Sequence, residues 1–398
     1  MSFVHHMTAT SALGAGLDAQ LQALRAGQTG LKPCDFETVN LDTWIGEVAG
    51  LDAVALPPAL QMFDCRNHRL ALKGLQADGF EQAARDAIAR YGAQRVALIL
   101  GTSTSGILSA EQAYRERVDN GPLPEWFDYE KTHNTGALTT FVRAYLGIKG
   151  PAYTISTACS SSAKAFATAD RLLQLGLVDA AIVGGVDSLC LTTLYGFASL
   201  ELTSHQACRP CDVDRDGLSI GEAAAFALLT RDENGPAGPA LAKLAGWGEA
   251  SDAHHMSAPH PEGRGSRTAM TDALAMAGLA ASAVDYVNLH GTATPANDAS
   301  EGGAVGRLLG GDVPCSSTKG LTGHTLGAAG ALEAVFSVLC IQQGLVPASV
   351  GTHTVDPSIG IHVPLRSYEQ PLAHVLSNSF GFGGSNCSLL FSRVERAA

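Results

Sequence analysis

The chain has 398 residues, 46% of them apolar and only 16% charged, which is ample for a large core and more than one structural unit. A net charge of −12 excludes nucleic acid as the main partner, since phosphate recognition needs a positive field; an acidic partner would need a local basic patch. Nine irregularly spaced cysteines predict thiols in a reducing cytoplasm over a disulfide framework, with no signal peptide in residues 1–16. The nearest approach to a membrane span, Ala180–Leu200, carries Asp187 and several polar residues, so none is predicted.

In chain order, Val96–Leu100 is a short apolar run stopping at Gly101 and predicts a buried strand. Tyr153–Thr157 predicts another. It leads through Ala158-Cys159-Ser160-Ser161-Ser162 into small and apolar residues at helical spacing over Ala163–Leu177. Asp179–Gly184 predicts a strand ending in Gly-Gly, and Ala223–Leu229 a fourth. The Pro/Gly-rich Asn234–Pro239 predicts a boundary, giving halves 1–235 and 236–398. Beyond it, Val284–Leu289 is a strand ending at His290. Val313–Ser316 is a short strand, and Thr322–Gln342 a loop entering a long buried helix. Val375–Ser377 and Cys387–Phe391 frame a Gly-rich turn. Strand, turn and buried helix recur at Tyr153–Leu177 and Val313–Gln342, which hints at a duplicated architecture.

Cys159 falls where a strand hands over to a helix, and the unpaired N–H groups of a helix start favour thiolate. Position alone leaves an inert buried cysteine open. Small Ala158 and the three following serines favour the reactive reading. His290 opens His290-Gly291-Thr292-Ala293-Thr294-Pro295, and His324 lies in a Gly/Thr loop over 319–330. Flanking glycines would let the main chain approach a ligand, and carbonyl chemistry needs a nucleophile plus donors to an oxyanion. Cys208-Arg209-Pro210-Cys211 lacks the second pair of a zinc site. Asp212-x-Asp214-x-Asp216-Gly217 lacks the carboxylate at position 12 of a calcium loop, so no metal is assigned.

Four segments together resemble the β-ketoacyl-[acyl-carrier-protein] synthases of the I/II type, in the same order along the chain: Thr157–Ser162; His290–Pro295 with Asp298 and Glu301; Lys319–Gly330; and Asn378–Asn386. The resemblance implies a five-layered α-β-α-β-α thiolase fold of two pseudo-duplicated halves. It implies a decarboxylative Claisen condensation between an acyl thioester on Cys159 and malonyl carrier protein, with His290 and His324 as donors. Lys319 and Glu301 resemble a supporting ion pair. The amides of Cys159 and Phe382 resemble an oxyanion hole, with Phe382 also a gate. Thr292 and Thr294 resemble contacts to pantetheine, and Arg66 and Arg69 resemble carrier-docking residues. No cofactor is implied beyond the arm of the acyl carrier protein. A homodimer is implied, or in polyketide systems a heterodimer with an inactive paralogue. A second cysteine as base would mark a thiolase, and loss of the nucleophile a chain length factor; this sequence has Cys159 and both histidines. The hydroxyl-rich segment with Thr102, Thr104 and Ile107 is expected to line the acyl pocket. If Thr104 faces the chain, a specialised aryl-polyene or polyketide substrate is expected over a saturated one.

Overall fold

The structure is a computed structural model and describes residues 1–119, 121–235 and 238–395. Ten strands carry the architecture. In the first half they are β1 (Ser2–Ser11), β2 (Val96–Gly101), β3 (Ala152–Ile155), β4 (Ala180–Asp187) and β5 (Ala223–Thr230). In the second they are β6 (Ala242–Ser251), β7 (Tyr286–Asn288), β8 (Cys315–Ser316), β9 (His374–Gly381) and β10 (Ser385–Ser392). The first half runs β1-β5-β4-β2-β3 and the second β6-β10-β9-β7-β8, so each half has the order first, fifth, fourth, second, third. Pairing sense repeats as well: the two contacts nearest the first strand are antiparallel and the two farthest are parallel. An antiparallel pairing of β1 with β6 over Ser2–Val4 joins the halves.

Strand residues alternate between two buried faces, and this builds the layers. Ala97 and Ile99 of β2 enter a central core with helices α4 (Ser161–Gln174) and α7 (Ala329–Gln343), while Val96, Leu98 and Leu100 enter an outer core. That outer core also takes Leu70 and Leu72 of α1 (Arg66–Leu75), Phe80 of α2 (Phe80–Tyr91) and Phe141 of α3 (Ala137–Leu146). On the other side, Leu376 and Leu390 meet Met270 of α5 (Arg264–Ala277) and Val305 of α6 (Pro295–Leu309), while Val375, Leu389 and Phe391 turn to the central core. Three apolar cores between five layers give the expected thiolase-type α-β-α-β-α arrangement.

Element bounds differ from the expectation at several ends, and most clearly at one glycine pair. Gly184-Gly185 does not end its strand, since β4 runs on to Asp187. A Cβ at Gly184 would lie 2.2 Å from the Ala225 carbonyl, and one at Gly185 2.6 Å from Cβ of Ser162, so the pair marks close packing on β5 and α4. Among the described residues, the helical segment long and apolar enough to cross a membrane is Leu326–Gln343, 89% of it buried inside the protein. The 235/236 boundary adjoins Pro236 and Ala237, which lie outside the described residues; on either side, Asn234–Gly235 pairs with Gly238–Pro239.

Candidate active site

The nucleophile turn follows β3 and precedes α4, and Ala158 within it has φ 53°, a left-handed conformation uncommon for a residue with a Cβ. The turn is pinned by its serines: Ser161 Oγ donates to the Ala158 carbonyl at 2.5 Å and accepts the Thr157 amide at 2.8 Å. Cys159 is thereby set at the mouth of α4, buried, with the Phe382 amide pointing at its sulfur.

The second half supplies the rings. His324 Nε2 lies 2.9 Å from Cys159 Sγ. The His290 and His324 rings meet edge to face, centroids 5.3 Å apart, and one ligand-type atom from each of Cys159, His290 and His324 lies within 4.8 Å of the others. The three distant segments do converge. The His324 backbone is held by the first half, its amide donating to Ser219 and its carbonyl accepting from Gly221.

Lys319 Nζ approaches His290 Nδ1 at 3.5 Å, and its ion-pair partner is Glu333 of α7. This corrects the expected Lys319–Glu301 pair. Glu301 instead accepts the amides of His290 and Gly291, both at 2.8 Å, and the Asn378 carboxamide at 3.1 Å. It shapes the loop that carries His290. Glu333 was missed by sequence reasoning, although it is the one charged residue in a mostly apolar helix buried over Ala329–Ile341, a signal in itself. The flanking Gly291 does not make room for a ligand: its φ is 38°, and a Cβ there would lie 2.5 Å from Cβ of Ser317.

Burial pushes the Cys159 thiol up to about 11, with Lys319 and the Phe382 amide pulling the other way. That balance favours the thiol in the free enzyme, against the pull toward thiolate expected from the helix start. Burial, reinforced by Lys319, holds both imidazoles well below 6.5, so they are neutral. A neutral imidazole next to a thiol can accept its proton, and one bearing N–H can donate to an oxyanion.

A cleft reaches this cluster. Thr292 and Thr294 lie on its wall, their hydroxyls 2.9 Å apart; Phe197 and Phe382, centroids 5.4 Å apart, also line it. Thr102 and Thr104 do not line this cleft. Their hydroxyls donate to Asp187 Oδ1 at 2.8 and 2.7 Å, and the amides of Ser103 and Thr104 donate to the same carboxylate. The polar segment therefore satisfies a buried acid. Ile107 packs in a cluster with Leu189, Leu194 and Phe197, of which Phe197 lines the cleft.

The two arginines expected to dock a carrier differ in exposure. Arg66 grips Glu222 with two nitrogens at 2.9 and 2.6 Å and reaches Glu47 at 3.1 Å, leaving its side chain 11% exposed. Arg69 binds Asp64 through two nitrogens but remains 28% exposed. Cys208 and Cys211 are buried behind the site; the Cys208 thiol donates to the Lys319 carbonyl, and the Cys211 amide to Asp298. Asp212 accepts amides of Asp214, His353 and Thr354, so it ties loops together.

Comparison with known proteins bears on the same residues. The β-ketoacyl synthase N-terminal domain family matches residues 6–235 and the C-terminal domain family residues 241–353. The chain belongs to the β-ketoacyl synthase family. It is 34% identical to 3-oxoacyl-[acyl-carrier-protein] synthase 2 of Coxiella burnetii, over 96% of each chain, and 31% identical to that of Vibrio cholerae, over 96% of this chain and 97% of the other. Among solved structures it is similar to a ketosynthase, ApeO, in complex with its chain length factor, ApeC, from Xenorhabdus doucetiae. That likeness has 39% identity and a TM-score of 0.88, covering 99% of this chain and 98% of the other. As a family member with Cys159, His290 and His324 assembled, the chain is an acyltransferase of the 3-oxoacyl-[acyl-carrier-protein] synthase type, with the residues of a working condensing enzyme and not of a chain length factor.

Proposed function

We propose a division of labour among these residues, carried by one observation: the 2.9 Å contact between Cys159 Sγ and His324 Nε2 at the inner end of the threonine-walled cleft. In the first stage the sulfur attacks an acyl thioester presented by carrier phosphopantetheine. The thiol proton passes to Nε2, and the amides of Cys159 and Phe382 receive the oxyanion. The carrier thiol leaves with a proton, and the acyl group stays on sulfur. In the second stage malonyl carrier protein enters past Thr292 and Thr294, which hydrogen-bond the pantetheine arm. Loss of the carboxylate as CO2 or bicarbonate leaves an enolate whose oxygen is held by N–H of His290 and His324. Its carbon attacks the acyl thioester and frees Cys159. His324 Nδ1 is buried with no partner among the described residues, so the ring can carry its proton on either nitrogen without breaking a hydrogen bond there. That freedom suits an acceptor in one stage and a donor in the next.

Lys319, paired with Glu333, holds His290 from behind, and Phe382 gates the acyl pocket. Arg69, the more exposed of the two arginines, is the remaining candidate for carrier docking. An aryl-polyene or related polyketide pathway is supported by the 39% identity to ApeO. The same likeness, and a second to an ishigamide ketosynthase and chain length factor at 26% identity and a TM-score of 0.89, favour a heterodimer with an inactive paralogue over a homodimer. Cytoplasmic carrier proteins would be the substrates.

Incubation with a panel of acylated carriers, then intact-mass measurement, is expected to place the acyl group on Cys159 and to release it when malonyl carrier is added. An acyl adduct that malonyl carrier never discharges would overturn the condensing role.

A further inference from the structure

The catalytic cluster has a second chemical identity. A thiolate and two neutral imidazoles form a ligand set that soft and borderline divalent cations prefer, and a tetrahedral zinc site of this kind has bonds of about 2.3 Å to sulfur and about 2.0–2.1 Å to nitrogen. Those bonds put neighbouring ligand atoms roughly 3.3–3.7 Å apart. Here the three ligand-type atoms lie within 4.8 Å of one another, with the shortest separation, sulfur to His324 Nε2, at 2.9 Å. Side-chain shifts of an ångström or less convert one arrangement into the other. The fourth position faces the cleft, which offers a route in and room for water or an anion. We propose that Cys159, His290 and His324 bind a thiophilic divalent cation of the zinc class, and that this cation reversibly inhibits the enzyme by occupying the place of the substrate carbonyl.

The surroundings set how tight such a site is. His290 Nδ1 faces Lys319, which leaves Nε2 for the metal. Coordination there moves the ring proton to Nδ1, against the ammonium group. Glu333, paired with that ammonium, limits the opposing charge but does not remove it. The thiol proton is released to solvent on binding. Lys319 therefore keeps the metal complex shallower than a structural zinc site and leaves the sulfur free for acyl groups. Hard cations such as Mg2+ and Ca2+ require oxygen ligands, which this set lacks.

The inference rests on the condensing-enzyme reading only for its inhibitory consequence; occupancy is read on the sulfur itself. The full-length protein is treated with iodoacetamide with and without Zn2+, and alkylation of Cys159 is followed by mass spectrometry. Saturating Zn2+ is expected to slow alkylation at least 10-fold, EDTA to restore it, and Mg2+ or Ca2+ to leave it unchanged. His290→Ala should require about 100-fold more Zn2+ for the same protection, since losing even an outer partner of a metal ligand costs about 10–100-fold in affinity. Lys319→Met should require less. Following this peptide keeps adventitious binding at exposed His254 and His255 out of the measurement. Unchanged alkylation at saturating Zn2+ overturns the proposal, as does equal protection in wild type and His290→Ala. Condensation assayed without added metal is a separate arm: its absence sinks the enzymatic reading and leaves the metal measurement standing.

Discussion

The two halves share strand order and pairing sense, yet they load that frame differently. After the second strand of each half comes a loop whose backbone amides are gripped by a buried carboxylate. In the first half Asp187 holds the amides of Ser103 and Thr104; in the second Glu301 holds those of His290 and Gly291. The device is the same, but only the second loop presents a reactive ring. After the third strand the roles reverse. The short turn of residues 156–160 puts Cys159 at the start of α4, while the longer stretch of residues 317–328 before α7 brings His324 across to that sulfur. The two halves offer like scaffolds, and side-chain choice at equivalent turns makes one half the nucleophile carrier and the other the donor of imidazoles.

The sharpest break in this asymmetry is Cys159→Ala, expected to lower condensation by at least ~10⁴-fold, the scale on which enzymes lose a covalent nucleophile. Assays with acyl and malonyl carriers check this, with circular dichroism showing an intact fold. Glu333→Ala should come next. It strands the Lys319 ammonium in the core and should cost about 3–5 kcal/mol in urea unfolding, as for a buried ion pair deprived of one partner. If Glu301 were the true partner of Lys319, Glu333→Ala would cost far less. Asp187→Asn tests the structural loop of the first half. It weakens hydrogen bonds to a charged acceptor, each about 1.5–3 kcal/mol, and should lower stability while Cys159 remains alkylatable.

A pH measurement sharpens the nucleophile side. With the thiol pushed up to about 11, the thiolate fraction rises about tenfold per pH unit throughout the range below that value. Iodoacetamide labelling of Cys159 in the free enzyme should therefore climb steadily from pH 6 to pH 9; a plateau near neutrality would show a standing thiolate instead. The smallest effect is expected at Arg69→Ala, whose partly exposed pair with Asp64 should contribute no more than about 1 kcal/mol to stability. An unchanged KM for the carrier in that variant would remove Arg69 from the docking surface.

Much of the fold was legible because strands and helices are written locally. Val96–Leu100 and Ala223–Leu229 carry continuous apolar runs, and each lies within an observed strand buried on both faces. Boundaries moved where packing overruled local punctuation, as at Gly184-Gly185.

The sequence by itself determined the order of the strand–turn–helix units and the identities of Cys159, His290 and His324, because turn chemistry and the four signature segments are local patterns. Tertiary structure alone decided the partners. Lys319 chose Glu333 over Glu301, Thr102 and Thr104 turned to Asp187 and away from the cleft, and Arg66 closed on Glu222. Each of those choices joins residues on different elements. A buried charge or hydroxyl takes whichever partner the packed layers bring within hydrogen-bond reach, and spacing along the chain does not encode that distance.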